Sequence, residues 1–170
     1  MGESILNGKK ILVVDDEPDV LEVLVEEILV AAPKCTVEKS TSYQEAAKKF
    51  QSQTFDLAIL DIMGVRGFDL LNLAVQQNLP VVMLTAHALT PEALKQSFEM
   101  KARAYLPKEK LGEIVPFLED ILEESDSLSG WARQMKKLES YFQSRWGESW
   151  QKLDERFWRD FEHKTSHMKR

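Results

Sequence analysis

The sequence predicts an α/β fold: a doubly wound, five-stranded parallel sheet with helices on both faces, followed by a C-terminal α-helical extension. Three observations carry this. Apolar runs at 11–14 (ILVV), 57–60 (LAIL) and 81–84 (VVML) do not alternate with polar residues, as expected of strands covered on both faces. Segments with apolar residues at helical spacing separate these runs. The resulting alternation of strand and helix builds a parallel sheet through right-handed crossovers.

The elements follow in order. After the first strand, a helix over about 18–30 places Val20, Leu21, Leu24 and Ile28 on one face. Asp16 is placed to cap it, and Pro18 suits its first turn. A weaker strand at 36–39 leads to a helix over 43–51, where Ser42 and Glu45 have the spacing of a capping box. The strand at 57–60 precedes a helix over 68–77. The strand at 81–84 precedes a helix that starts after Thr90 with Pro91 and Glu92. A second weak strand at 102–106 precedes a helix over 111–123, in which Pro116 implies a kink or a later start.

Composition narrows the classes. The single cysteine, Cys35, excludes an internal disulfide framework and suits a reducing compartment. No apolar run approaches the roughly 20 residues needed to span a bilayer, and the N-terminus lacks the apolar core of a signal peptide. A cytoplasmic protein is expected. The net charge of −6 argues against a general nucleic-acid binder. That charge is unevenly spread. Residues 1–124 hold 12 Lys and Arg against 21 Asp and Glu, whereas 125–170 hold 10 against 7 and all four tryptophans. A polar seam at 123–127 therefore divides a domain over 1–124 from an aromatic-rich extension over 125–170.

Parallel sheets carry their sites at the carboxyl ends of the strands, where the strand order reverses. Those ends hold Asp15 and Asp16, Asp61, Thr85 and Lys108. Each alone has a plain reading: a helix cap, a surface acid, a strand end, a solvated lysine. Together they read as one site. Three converging carboxylates repel one another and suit a hard divalent cation, best Mg²⁺. Asp61 can act as a nucleophile and form an aspartyl phosphate. Lys108 would neutralise the transferred phosphoryl group, and the Thr85 hydroxyl would donate to it.

Four pieces in order, Lys10-Ile-Leu-Val-Val-Asp-Asp16, Phe55-Asp-Leu-Ala-Ile-Leu-Asp-Ile-Met63, Pro80-Val-Val-Met-Leu-Thr-Ala86 and Tyr105-Leu-Pro-Lys108, resemble the receiver domains of two-component response regulators. The resemblance covers about residues 9–123 and implies a flavodoxin-like fold similar to the chemotaxis regulator. It implies Mg²⁺ held by Asp15, Asp16, Asp61 and the backbone carbonyl of Met63, with Asp61 as the phosphoacceptor. Thr85 and Lys108 would contact the phosphoryl group, and Tyr105 would be the switch aromatic. The partner would be a histidine kinase or a phosphotransfer protein. The protein would be a signalling phosphoacceptor and not a turnover enzyme, catalysing only its own phosphotransfer and dephosphorylation. Three features depart from the family pattern. The loop after Asp61 is short and lacks a Met-Pro pair. Glu109 stands where a proline usually follows the lysine, so a trans bond is expected there. The glycine common before the fifth strand is replaced around Lys101.

In the extension, Leu128, Trp131, Met135, Leu138, Phe142, Trp146, Trp150, Leu153, Phe157 and Phe161 follow one another at steps of three or four, a helical stripe. Gly147 interrupts it, giving a hairpin with Ser149 as second cap, or one long bent helix. Trp131, Met135, Leu138, Phe142, Trp146, Trp150 and Phe157 are read as an interface for a second copy or a protein partner, against the plainer reading that they pack on the first domain. The expected function is phosphoryl acceptance on Asp61 that switches the face of the fourth helix, fifth strand and fifth helix together with the extension. The alternative is a phosphorylation-independent scaffold using the aromatic helices.

Overall fold

Five short strands form one parallel sheet in the order β2-β1-β3-β4-β5. They are β1 (Lys10–Val14), β2 (Thr36–Ser40), β3 (Leu57–Asp61), β4 (Val81–Thr85) and β5 (Ala104–Pro107). The structure, a computed structural model, describes residues 3–123 and 127–166. The centre of the predicted seam, 124–126, lies outside them. β3 and β4 are buried at every position, as the non-alternating runs require. The helices are α1 (Pro18–Ala31), α2 (Tyr43–Ser52), α3 (Gly67–Gln76), α4 (Pro91–Glu99) and α5 (Ile114–Glu123). Right-handed crossovers in this order put α1 and α5 on one face and α2 to α4 on the other. The packing agrees, since α1 touches α5 and α2 touches α3.

Local chemistry sets the helix ends. Ser42 Oγ accepts from Glu45 N at 3.2 Å, and Thr90 Oγ1 accepts from Ala93 N at 3.1 Å, satisfying donors that the first turn leaves free. Asp16 does not cap α1. Glu17 occupies that position without a side-chain bond, and Asp15 Oδ1 takes the Glu17 N–H at 2.9 Å instead. The fifth helix starts late: a 3-10 turn over Lys108–Glu113 precedes it, so Pro116 falls in its first turn, where a missing N–H costs nothing.

The extension is a hairpin. α6 (Ser127–Trp146) ends at Gly147, whose φ of +89° few side chains would tolerate. A 3-10 turn (Trp150–Asp154) then leads into α7 (Glu155–Ser166). The second cap is Asp154, whose Oδ1 accepts from Phe157 N at 3.2 Å; Ser149 makes no cap bond.

The aromatic stripe packs on the first domain, the plainer of its two readings. β5 is an edge strand, and its unpaired backbone donors need cover. α6 supplies it. Tyr105 N donates to Gln134 Oε1 at 2.6 Å, and Trp131 Nε1 donates to the Ala102 carbonyl just before the strand at 2.8 Å. Trp131, Leu138, Phe142 and Trp150 are buried, and Met135, Trp146 and Phe157 pack on the same core. Phe98 of α4 meets Trp131 and Phe161 edge to face, with centroids 5.4 and 4.9 Å apart. Of the seven residues read as an interface, four are thus buried within this chain, and Met135, Trp146 and Phe157 remain partly exposed. Leu153 leaves the stripe and is 78% exposed, because the 3-10 turn shifts the helical phase there.

Candidate functional site

The loops at the carboxyl ends of β1, β3, β4 and β5 bring the predicted residues to one rim. Asp15 follows β1 and extends its ladder through Asp15 N to the Ser40 carbonyl, 3.1 Å. Asp61 ends β3, beside the point where strand order reverses. Asp15, Asp16 and Asp61 each offer an oxygen within 4.8 Å of the others. Asp15 is fully buried and Asp61 is 4% exposed, while Asp16 opens to solvent.

Lys108 joins them from the end of β5. Its Nζ lies 2.8 Å from Asp15 Oδ2, 3.3 Å from Asp61 Oδ1 and 2.7 Å from Glu17 Oε1. Burial pushes the Asp15 carboxyl above its usual range, and the Lys108 hydrogen bond opposes that only in part. Burial alone would pull the Lys108 ammonium down. The bonds to Asp15 and Glu17, with the charge of Asp61, outweigh it and hold Lys108 above the ordinary lysine range. Glu17 is held low by the Lys108 hydrogen bond. Lys108 thus faces three carboxylates, and Asp16 adds a fourth beside them, an excess of negative charge suited to a hard cation.

Two glycines that the sequence reading did not single out shape the loop. Gly64 N donates to Asp61 Oδ2 at 3.0 Å. A Cβ on Gly64 would stand 2.2 Å from Asp16 Oδ1, and one on Gly67 would stand 2.2 Å from the Asp61 carbonyl. Arg66 between them takes a φ of 56°, and its guanidinium lies 4.1 Å from the Tyr43 ring centroid. The signal was present as two glycines in a shortened loop. Met63 sits in that loop with its side chain exposed. Glu17 was also missed; it directly follows the acidic pair.

Thr85 and Tyr105 are both buried and meet at the loop after β4. Thr85 Oγ1 accepts from Ala88 N at 2.9 Å. The Tyr105 hydroxyl donates to the Ala88 carbonyl at 3.0 Å, and burial pushes its ionisation well above the usual range. Every described peptide bond is trans, including the one before Glu109. Glu109 Oε1 instead pairs with Arg145 Nη2 of α6 at 2.9 Å. Lys101, where a glycine was missed, takes a φ of 71°. No helix among the described residues is long and apolar enough to cross a membrane.

A family model for the response regulator receiver domain matches residues 11–119. The two-component response regulator ARR18 of Arabidopsis thaliana is 38% identical over 85 residues, which is 48% of this chain and 13% of that protein. The regulatory protein VanRB of Enterococcus faecalis is 29% identical over 124 residues, 71% of this chain and 55% of that protein. The chain therefore spans 13% of the length of the first relative and 55% of the second. Among solved structures, a CheY-like receiver domain protein from Methanospirillum hungatei is 25% identical with a TM-score of 0.58, covering 69% of this chain and 98% of that one. The receiver domain of NtrX from Brucella abortus is 27% identical with a TM-score of 0.60, covering 68% and 99%.

Proposed function

The chain belongs to the response regulator receiver domain family of two-component signalling, and from that premise we propose that Asp61 accepts a phosphoryl group from a histidine kinase or a phosphotransfer protein. One observation carries the proposal: a lysine whose side chain is only 9% exposed bridges the buried Asp15 and Asp61, with a third, exposed carboxylate, Asp16, within reach of both acids. An Asp61 carboxylate oxygen attacks the phosphorus of the donor phosphohistidine. A P–O bond forms, the P–N bond breaks, and its electron pair leaves with the imidazole. Lys108 neutralises the incoming charge, and Thr85 donates from the end of β4.

The residues fit Mg²⁺. The donors are all oxygens, negative charge is in excess, and Asp16 opens to solvent. Asp15, Asp16 and Asp61, with the Met63 backbone carbonyl, would hold it. When bound it would neutralise phosphoryl oxygens. The protein acts as a stoichiometric phosphoacceptor, in the cytoplasm with its kinase, and its phosphorylated state changes the α4–β5–α5 face and the helices docked there. Against the alternative, a scaffold independent of phosphorylation that uses the aromatic helices, stands the docking of α6 on the chain's own β5 edge through Trp131 and Gln134.

Intact mass after incubation with acetyl phosphate tests the proposal. One added phosphoryl group that requires Mg²⁺ and is absent in Asp61→Asn is the expected result. No addition, together with no fluoroberyllate binding, overturns it.

A further inference from the structure

The far end of α6 grips two loop residues, each next to one that serves the phosphoryl-acceptor pocket. Trp146 Nε1 donates to the Leu89 carbonyl at 3.2 Å, one residue beyond the Ala88 held by Thr85 and Tyr105. Arg145 pairs with Glu109, one residue beyond Lys108. Phe142 stacks on Trp146 with centroids 4.6 Å apart and faces the Tyr105 ring at 6.2 Å. The near end of α6 is held differently. Gln134 and Trp131 bond to backbone groups at the sheet edge, Tyr105 N and the Ala102 carbonyl.

We propose that residues 142–146 of α6 form a latch, closed while Asp61 is unmodified and opened when a phosphoryl group occupies it. The inference rests on the phosphoryl-acceptor reading above. Lys108 is now held by Asp15, Glu17 and Asp61. A phosphoryl dianion on Asp61 gives it a stronger partner. Thr85 turning toward that group gives up the Ala88 N–H it now accepts. Both shifts move the neighbours, Glu109 and Leu89, that Arg145 and Trp146 hold. The Arg145–Glu109 pair is half exposed, and such pairs are weak, so the latch needs little to open. Trp131 and Gln134 keep α6 tethered to the edge of β5 while its end lifts. Linkage makes the coupling reciprocal: whatever opens the latch must tighten the pocket's hold on a phosphoryl group by the same factor.

The test uses the full chain with Mg²⁺ and fluoroberyllate as the phosphoryl mimic. Hydrogen exchange should speed up at least tenfold in peptides covering 140–146 and stay unchanged over 129–135. Arg145→Ala and Trp146→Phe, which keep the helix and its apolar packing, should bind fluoroberyllate roughly fivefold more tightly than the parent. Unchanged protection over 140–146 in the bound protein overturns the latch, and so does unchanged affinity in both variants. Absence of fluoroberyllate binding to the parent together with no phosphoryl addition from acetyl phosphate overturns the phosphoryl-acceptor reading and the latch with it. If acetyl phosphate does modify the parent, the phosphorylated protein replaces the mimic in the exchange measurement, and unchanged protection over 140–146 there overturns the latch alone.

Discussion

Thr85 and Tyr105 hold the two polar groups of one residue: the Thr85 hydroxyl accepts from Ala88 N, and the Tyr105 hydroxyl donates to the Ala88 carbonyl. The loop after β4 is thus clamped from a strand end and from the neighbouring strand. Thr85→Val and Tyr105→Phe each remove one clamp and should each cost about 1 kcal/mol in urea unfolding. Because both act on Ala88, the double variant should depart from additivity by roughly 0.5 kcal/mol or more. Strictly additive costs would show that the loop does not behave as a unit.

Lys108 carries a heavier load. Its ammonium is the cation paired with Asp15 and Asp61, both almost without solvent. Removing one member of a buried charge set leaves the others uncompensated, at about 3–5 kcal/mol. Lys108→Met should lose stability of that order in the presence of a chelator. Mg²⁺ should restore more stability to this variant than it adds to the parent, since the variant's carboxylates have no other cation. Equal Mg²⁺ effects in both proteins would count against a shared site.

The strands, their order of appearance and the rim residues were legible because each depends on local pattern. Runs such as LAIL at 57–60 can only be buried on both faces, and a parallel sheet aligns their ends. What escaped were properties of contact. Nothing in the sequence says that the N–H of Tyr105 lies on an open edge and needs Gln134, so the cover that α6 gives to β5 was not legible. Glu17 and Glu109 were ordinary acids until the fold set them beside Lys108 and Arg145. Asp16 had the right spacing for a cap, but the site claims it.

The two loop glycines should respond differently to alanine. At Gly64 the added methyl meets the end of the exposed Asp16 side chain, which can swing aside. Gly64→Ala should fold with less than about 1 kcal/mol lost, yet weaken Mg²⁺ binding about tenfold or more by displacing Asp16. At Gly67 the methyl meets the Asp61 carbonyl and, at 2.7 Å, Ile62 Cα, atoms fixed by the sheet. Gly67→Ala should cost about 3 kcal/mol. Urea unfolding and Mg²⁺ titration separate the two outcomes.

Alkaline stability should fall early. Burial raises the Tyr105 ionisation, and burial outweighed by carboxylate partners leaves that of Lys108 raised too. The unfolded chain releases these protons near the usual 10.0 and 10.5. The native state keeps them longer, so above those values it binds more protons than the unfolded state and stability drops as pH rises. The contribution is full below about pH 10 and lost as pH climbs through the folded values. Urea midpoints should therefore decline above pH 10, and Tyr105→Phe should flatten the decline. The same slope in parent and variant would remove Tyr105 from the account.

Phe142 decides where the aromatic stripe belongs. Its ring is fully buried, stacked on Trp146 and set edge to face against Trp150 with centroids 5.8 Å apart. Truncating a buried phenylalanine removes its transfer free energy and leaves a cavity, about 3–5 kcal/mol together. If the stripe packs on the chain's own receiver, Phe142→Ala should lose this amount at every protein concentration, and the parent's unfolding midpoint should not depend on concentration either. If the stripe instead joined two chains, the parent would gain stability on concentration by mass action, and the cost of the substitution would shrink on dilution. Urea unfolding of both proteins across a hundredfold range of concentration distinguishes the cases, and a concentration-dependent midpoint would return Trp131, Phe142 and Trp150 to an interface between chains.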